Sequence, residues 1–352
     1  LFPVSFSKDF EKSAYAPEVK WWRAVPLIQS MQFPAEFSPE IERVVFKKAG
    51  KIVFLNCLDT CYGHVFQKLL HAQAHLDDLD FGLLVIIPEG FQWMVPEGIA
   101  ELWVVKAPLS DLHQRITGFD ALVKGEFARF EEVKWSKAPI QPDASKINWP
   151  LFLKQSRFDL AQFQKLPCLV TFVWREDRFW HNTALEEILF LASKKFKVFD
   201  LVKWYFVWRQ MGLFAKAAKQ IKKRMGKAEF ALVGLGHSGK AHLIFVDHRI
   251  PGKISHGKET EWFPVLAKSH VIIGILGSSM LIPTALAASF VDIVPHRMLA
   301  LLGEDIAQPY SDRRLQFLGR FVHGTPSAKQ VTRQVLGILQ GFAQYSQLLP
   351  KS

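Results

Sequence analysis

Gly234-Leu-Gly236-His237-Ser-Gly239 follows a short apolar run, Phe230–Val233, and has the G-x-G-x-x-G spacing of a dinucleotide-binding turn. That fingerprint needs a helix of several turns next, then an acid about twenty residues further on. Here Lys240-Ala-His-Leu-Ile-Phe-Val-Asp247 opens another apolar run at once, which leaves no room for the helix. The spacing therefore predicts a glycine turn whose amides face a ligand, with Gly234, Gly236 and His237 as contacts, rather than a nicotinamide site. Trp174-Arg175-Glu-Asp177-Arg178 follows the run Cys168–Trp174. Two arginines leaving a strand suit an anionic group, because a guanidinium forks phosphate oxygens and keeps its charge. The plain alternative is a salt-bridge loop, with Glu176 and Asp177 as partners. Gly274-Ile-Leu-Gly277-Ser278-Ser279-Met-Leu-Ile-Pro283 reads as a strand, a turn and a helix start. Amides, hydroxyls and the helix dipole make such a turn a phosphate site; capping by Ser279 is the simpler use.

Asn56-Cys-Leu-Asp59-Thr-Cys-Tyr-Gly-His64 offers a different chemistry. His64, or Asp59 if desolvated, could take a proton from an acceptor hydroxyl; a helix cap and a first-turn histidine are the bland roles. His71 and His75 are i, i+4, but Ala-Gln-Ala between them supplies no acid for a zinc motif, so no metal is expected. Neither a P-loop ending nor a Gly-x-Ser-x-Gly elbow is present.

Positioning these loops requires strands alternating with helices. Arg43–Phe46 and Ile52–Cys57 flank Lys-Lys-Ala-Gly-Lys in a hairpin-like pattern. Val65, Leu69, Leu70, Ala72, His75 and Leu76 then mark one face of a helix starting near Gly63. Apolar runs at Leu83–Ile87 and Leu102–Val105 follow, and after residue 165 come runs at Cys168–Trp174, Phe230–Val233, His242–Val246, Val271–Ile275 and Val291–Val294. Thr183-x-x-Glu186 is a capping box for a helix at Ala184–Lys195. Val331, Val335, Ile338, Phe342, Tyr345 and Leu349 form one stripe of a terminal helix. Short apolar runs alternating with helices predict parallel sheets covered on both faces. The first forty residues, with Trp21, Trp22, Pro26, Pro34 and Pro39, read as irregular.

Lys137–Pro150, with three prolines and little periodicity, is the best linker. The expected organisation is an N-terminal α/β domain over 1–150, a second over 151–326 and a terminal helix over 327–352, with a ligand cleft between the domains. Val271 to Val291 is long enough to span a bilayer, but Gly274, Gly277, Ser278, Ser279, Pro283 and Thr284 break it. Three cysteines beside apolar runs predict buried reduced thiols, and no signal peptide is recognisable, so a cytoplasmic chain is expected. Of a net charge of +11, eight cations and no acid lie in residues 203–227. Aromatic and aliphatic residues crowd the first half of that segment and cations the second, a composition that suits an interfacial helix on a partner or on the inner face of the membrane. Single-stranded nucleic acid is the weaker fit, and a core-packed helix with a solvated basic end is the plain alternative.

Assembled, these loops resemble GT-B glycosyltransferases, especially a bacterial group distantly similar to fucosyltransferases. The resemblance rests on Thr171-Phe-Val-Trp-Arg175-Glu-Asp-Arg178-Phe-Trp, Phe230 to Gly239, Asp247-His-Arg249 and Ser269 to Pro283, and more weakly on Asp59–His75. It implies two Rossmann-like domains facing across a cleft, the second binding a nucleotide-sugar donor and the first a glycan, lipid or small-molecule acceptor. It also implies that Arg175 or Arg178 meets the diphosphate and that Gly277, Ser278 and Ser279 lie beneath the donor's phosphates or sugar. Arginines and a helix terminus would then stabilise the leaving diphosphate without a metal or other cofactor. Leu276 departs from the pattern, since similar proteins often carry His there. The expected function is transfer of a sugar from a nucleotide-sugar donor to a hydroxyl. A non-catalytic nucleotide- or glycan-binding protein is the alternative, and an NAD(P)-dependent oxidoreductase stands behind both.

Overall fold

Continuous apolar runs bury both faces of a strand and therefore belong inside a parallel sheet. The computed structural model bears this out in both of its compact units, Leu1–Pro142 and Asp143–Ser352. It describes residues 4–9, 11–17, 20, 24–33, 40–114, 116–140, 142–251, 257–299, 302 and 318–348.

The first unit opens with an antiparallel pair, β1 (Val4–Phe6) and β2 (Ser13–Tyr15), and helix α1 (Val25–Gln32). Residues expected to be irregular are thus partly ordered. Pro26 sits in the first turn of α1, where its missing N–H has no helical partner to lose. Trp21, Trp22, Pro34 and Pro39 lie outside the described residues.

The sheet of this unit contains β3 (Ile41–Val45), β4 (Lys51–Asn56), β5 (Gly82–Pro88), β6 (Glu101–Val105) and β7 (Glu132–Trp135), in the order β3-β6-β5-β4-β7. Helix α2 (Tyr62–Leu69) follows β4, and α3 (Ile116–Phe127) precedes β7. All neighbours are parallel except β3 and β6. The hairpin expected between β3 and β4 does not form. β4 is buried at its four inner positions and takes parallel partners on both sides, whereas β3 is largely exposed and caps an edge.

The second unit has six parallel strands: β8 (Leu169–Trp174), β9 (Glu229–Leu235), β10 (Val246–Ile250), β11 (Val271–Ile275), β12 (Phe290–Val294) and β13 (Gly319–His323). Their order is β10-β9-β8-β11-β12-β13. The expected strand His242–Val246 is instead a turn, closed by the Ile244 amide on the His242 imidazole, and β10 starts at its end. Phe245 leaves that turn for the core, edge-on to Phe172. Helices α4 (Trp149–Leu153), α5 (Ala184–Lys195), α6 (Phe199–Met225), α7 (Phe263–Leu266), α8 (Leu281–Leu286) and α9 (Ala328–Leu348) complete the unit.

Thr183 caps α5 by accepting from the Glu186 amide, while Glu186 reaches back to the Asn182 amide. Val331, Val335, Ile338 and Phe342 of α9 are buried in the same core as Phe206, Phe214 and Ile221 of α6; Leu349 lies outside the described residues. The terminal helix is therefore part of this unit's core. Of the cysteines only Cys57 is buried, with its thiol pushed up by burial; Cys61 and Cys168 are half-buried.

Candidate functional site

In the six-stranded sheet the chain leaves β8 towards β9 on one side, and β11 lies on the other. Loops leaving the carboxyl ends of β8 and β11 therefore part in opposite directions, which is where open α/β sheets offer a ligand crevice. Those two loops carry Arg175, Arg178 and the Gly277–Ser279 turn. The structure brings them together. Arg175 Nη1–H donates to Ser279 Oγ at 2.7 Å, and Arg178 Nη1–H donates to the Leu276 carbonyl at 2.9 Å. Gly277 has φ +142°, and a side chain there would overlap the Arg178 guanidinium and stand 3.2 Å from Arg175 Nη1. Glycine is what lets two cations stand over the turn. Ser278 is half-buried in the same turn. The helix that follows, α8, has only six residues after a 3-10 turn, so its dipole adds less than the sequence suggested.

The salt-bridge alternative is present as well. Asp177 accepts from Arg175 Nε at 2.9 Å and from Nη2 at 2.6 Å, and its Oδ2 lies 4.0 Å from Arg178 Nε. With the bond to Ser279, these use three of the five Arg175 N–H groups. Sequence reasoning missed what pins the loop. Gln210 of α6, fully buried, donates to the Arg175 carbonyl at 2.8 Å and accepts from the Trp180 amide at 3.1 Å. The Trp180 indole donates to the Pro326 carbonyl at 2.7 Å. Beside this loop a recess is lined by Arg178, His181, Glu187, Phe190, Pro295 and Arg297. It brings in a third arginine from the end of β12. Burial pushes His181 down to about 4, so its ring is neutral near neutral pH.

The glycine turn is used differently from expectation. A side chain at Gly234, φ +126°, would overlap the Trp174 carbonyl, and one at Gly236 would overlap the Glu176 carboxylate. Glu176 accepts from the Ser238 amide at 2.7 Å, the Ser238 hydroxyl at 2.6 Å and the Trp174 indole at 3.1 Å, and pairs with Lys203 at 2.6 Å. Burial would raise this carboxyl, but those donors outweigh it and hold it at about 2. The turn thus cradles an anion that the chain itself supplies. His237 is exposed beside it. Arg249 locks the far side, forking Asp247 at 2.9 Å and donating to the Gly239 carbonyl at 3.0 Å. No helix separates β9 from β10, which removes the nicotinamide fingerprint.

In the five-stranded sheet β5 and β7 flank β4, so the loop after β4 leaves from the equivalent switch position. It holds a coupled trio. His64 Nδ1–H donates to Asp59 Oδ1 at 3.1 Å, Lys68 Nζ donates to Oδ2 at 2.9 Å, and the Cys61 amide donates to Oδ1 at 3.0 Å. Burial alone would raise the Asp59 carboxyl, but the hydrogen bond with His64 and the Lys68 ammonium hold it well below the usual carboxylate range. Asp59 therefore stays ionised and orients the ring, with Nε2 as the nitrogen that can accept a proton. The sequence contained a signal for Lys68: it lies four residues after His64, on the same helix face. His71 and His75 are occupied locally, on the Pro139 carbonyl at 2.8 Å and the Ser136 hydroxyl at 2.9 Å.

No protein-family model and no curated protein matches this chain. Several solved structures resemble it, two of them as follows. One is a candidate UDP-N-acetylglucosamine 2-epimerase from Listeria monocytogenes, 11% identical over 85% of this chain and 68% of that one, with a TM-score of 0.35. The other is S. aureus MnaA with UDP, 11% identical over 86% of this chain and 69% of that one, with a TM-score of 0.29. Likeness at this distance carries no argument about chemistry.

Proposed function

We propose that the second unit binds a nucleotide sugar through its diphosphate, and that the chain transfers the sugar to a hydroxyl of a glycan, lipid or small-molecule acceptor. The observation that carries this reading is the convergence of Arg175 and Arg178 on the Gly277–Ser279 turn at the switch point of the sheet. Arginine forks suit the two phosphates, and their charge stabilises the diphosphate as it leaves. His64, oriented by Asp59, is the acceptor-side base. The bidentate hold of Asp177 on Arg175 favours a second reading, a non-catalytic nucleotide-binding protein in which that cation is already neutralised.

Thermal denaturation with nucleoside diphosphates, diphosphate sugars and NAD(P) tests the proposal. A diphosphate at a hundredfold excess over its Kd would add about 2.7 kcal/mol. This gain should vanish in Arg178→Ala and in Ser279→Ala, which spares both guanidiniums. Stabilisation by NAD(P) alone would overturn the proposal. Binding of a diphosphate sugar without release of the sugar to water or any acceptor would select the second reading.

A further inference from the structure

Helices α5 and α6 bury Phe190, Phe199, Phe206, Leu213, Phe214 and Ile221, yet their outward faces are not polar. Of twenty exposed large hydrophobic side chains among the described residues, nine lie between Leu185 and Trp208. On α6, Leu201, Trp204 and Trp208 are 76, 69 and 63% exposed. Spacings of three and four residues put them on one stripe. The same stripe continues through Gly212 to exposed Lys216, Lys219 and Lys223, a span of roughly 33 Å at the helical rise. On α5, Leu185, Ile188 and Leu189 are exposed on the outer face, and Phe196 follows at its end.

Charge selects the occupant. Residues 194–227 contain eleven Lys or Arg and a single acid, Asp200. Only Lys203 and Arg209 of these cations pair with carboxylates, Glu176 and Glu186, among the ion pairs of the described residues. A second copy of the chain docked symmetrically here would set cation against cation. Leu and Ile on α5 offer no surface on which bases stack. Aromatic and aliphatic side chains at one end and lysines at the other match the apolar boundary and phosphate layer of a bilayer. No helix among the described residues is long and apolar enough to cross one.

We propose that α5 and the length of α6 form a surface that lies on an anionic lipid bilayer, with Leu201, Trp204 and Trp208 at the acyl boundary and Lys216, Lys219, Lys222 and Lys223 on the headgroup phosphates. The proposal does not depend on what the arginine site binds.

The test is co-sedimentation of the full chain with vesicles of phosphatidylcholine alone or mixed with phosphatidylglycerol, at low and high salt. The expected result is partition onto the anionic vesicles that weakens with salt. Trp204→Ser with Trp208→Ser should reduce it at least about tenfold. Neutralising Lys216, Lys219, Lys222 and Lys223 to Gln should reduce it by roughly fivefold per lysine and flatten the salt dependence. All six positions are exposed, so melting temperatures should match the wild type, which separates lost docking from lost folding. Wild-type protein that stays off anionic vesicles overturns the proposal, as does partition indifferent to both variants. A concentration-dependent dimer that the tryptophan changes dissolve would assign the surface to a second copy, and tighter binding to a single-stranded oligonucleotide would assign it to nucleic acid.

Discussion

At the scale of single residues, the two candidate chemistries make separable predictions. His64→Ala should lower kcat of sugar transfer by about 10²–10⁴, the usual worth of a positioned base, while leaving the thermal shift with a diphosphate unchanged. Asp59→Asn should also lower kcat, because an amide no longer fixes the imidazole tautomer. Loss of the diphosphate shift in either variant would count against this division of roles. His181 predicts a pH effect on stability instead. Its folded-state pKa is pushed down to about 4 from the ordinary imidazole value of 6.5, with burial as the main cause. The unfolded chain therefore takes up the proton first, so the contribution of the neutral ring is complete above pH 6.5 and is lost as pH falls towards 4. Urea unfolding across that window should show a shallower loss in His181→Gln than in the wild type; equal slopes would disprove it.

At the scale of elements, the glycine turn after β9 shows what sequence can and cannot supply. Its tight geometry was legible, because three glycines in six residues after an apolar run demand a turn. So was the lack of room for the helix of a dinucleotide fingerprint, from the early onset of the next apolar run. What fills the turn was not legible. Glu176 comes from 58 or more residues upstream, carried there by the pairing of β8 with β9. The same long-range logic explains β3 and β4. Their apolar runs and short connection suggested a hairpin, but the two-faced burial of β4 was decided by partners later in the chain. The element-level prediction follows from the Glu176 contacts. Glu176→Ala leaves the Ser238 amide and the buried Trp174 indole without their acceptor, so it should cost about 1–3 kcal/mol in urea unfolding. The cost should be largely recovered by Glu176→Gln, which keeps an acceptor oxygen. If the alanine variant instead keeps full stability and gains affinity for free phosphate, the turn is a ligand site after all.

At the scale of the whole molecule, the net charge of +11 pointed to no site by itself. Its largest concentration lies along α6, and the proposed anion site draws on other arginines, each already engaged by a neighbour within its own unit. The division of the chain gives that site a sharper test. Arg175, Arg178, the Gly277–Ser279 turn and the Gln210 and Pro326 groups that brace them all fall within Asp143–Ser352. The hydrophobic cluster of that unit runs from Phe158 to Phe342, and that of the first unit from Ile52 to Val123, with no residue in common. A core supplied entirely from within a segment of this size is what independent folding requires. The fragment 143–352 should therefore fold cooperatively and keep the diphosphate-induced rise in melting temperature, while losing sugar transfer with His64 and Asp59. Circular dichroism melts with and without uridine, guanosine and adenosine diphosphates would read both properties. A folded fragment that no longer responds to a diphosphate bound by the full chain would mean that donor binding draws on the first unit, and the arginines alone would no longer account for it.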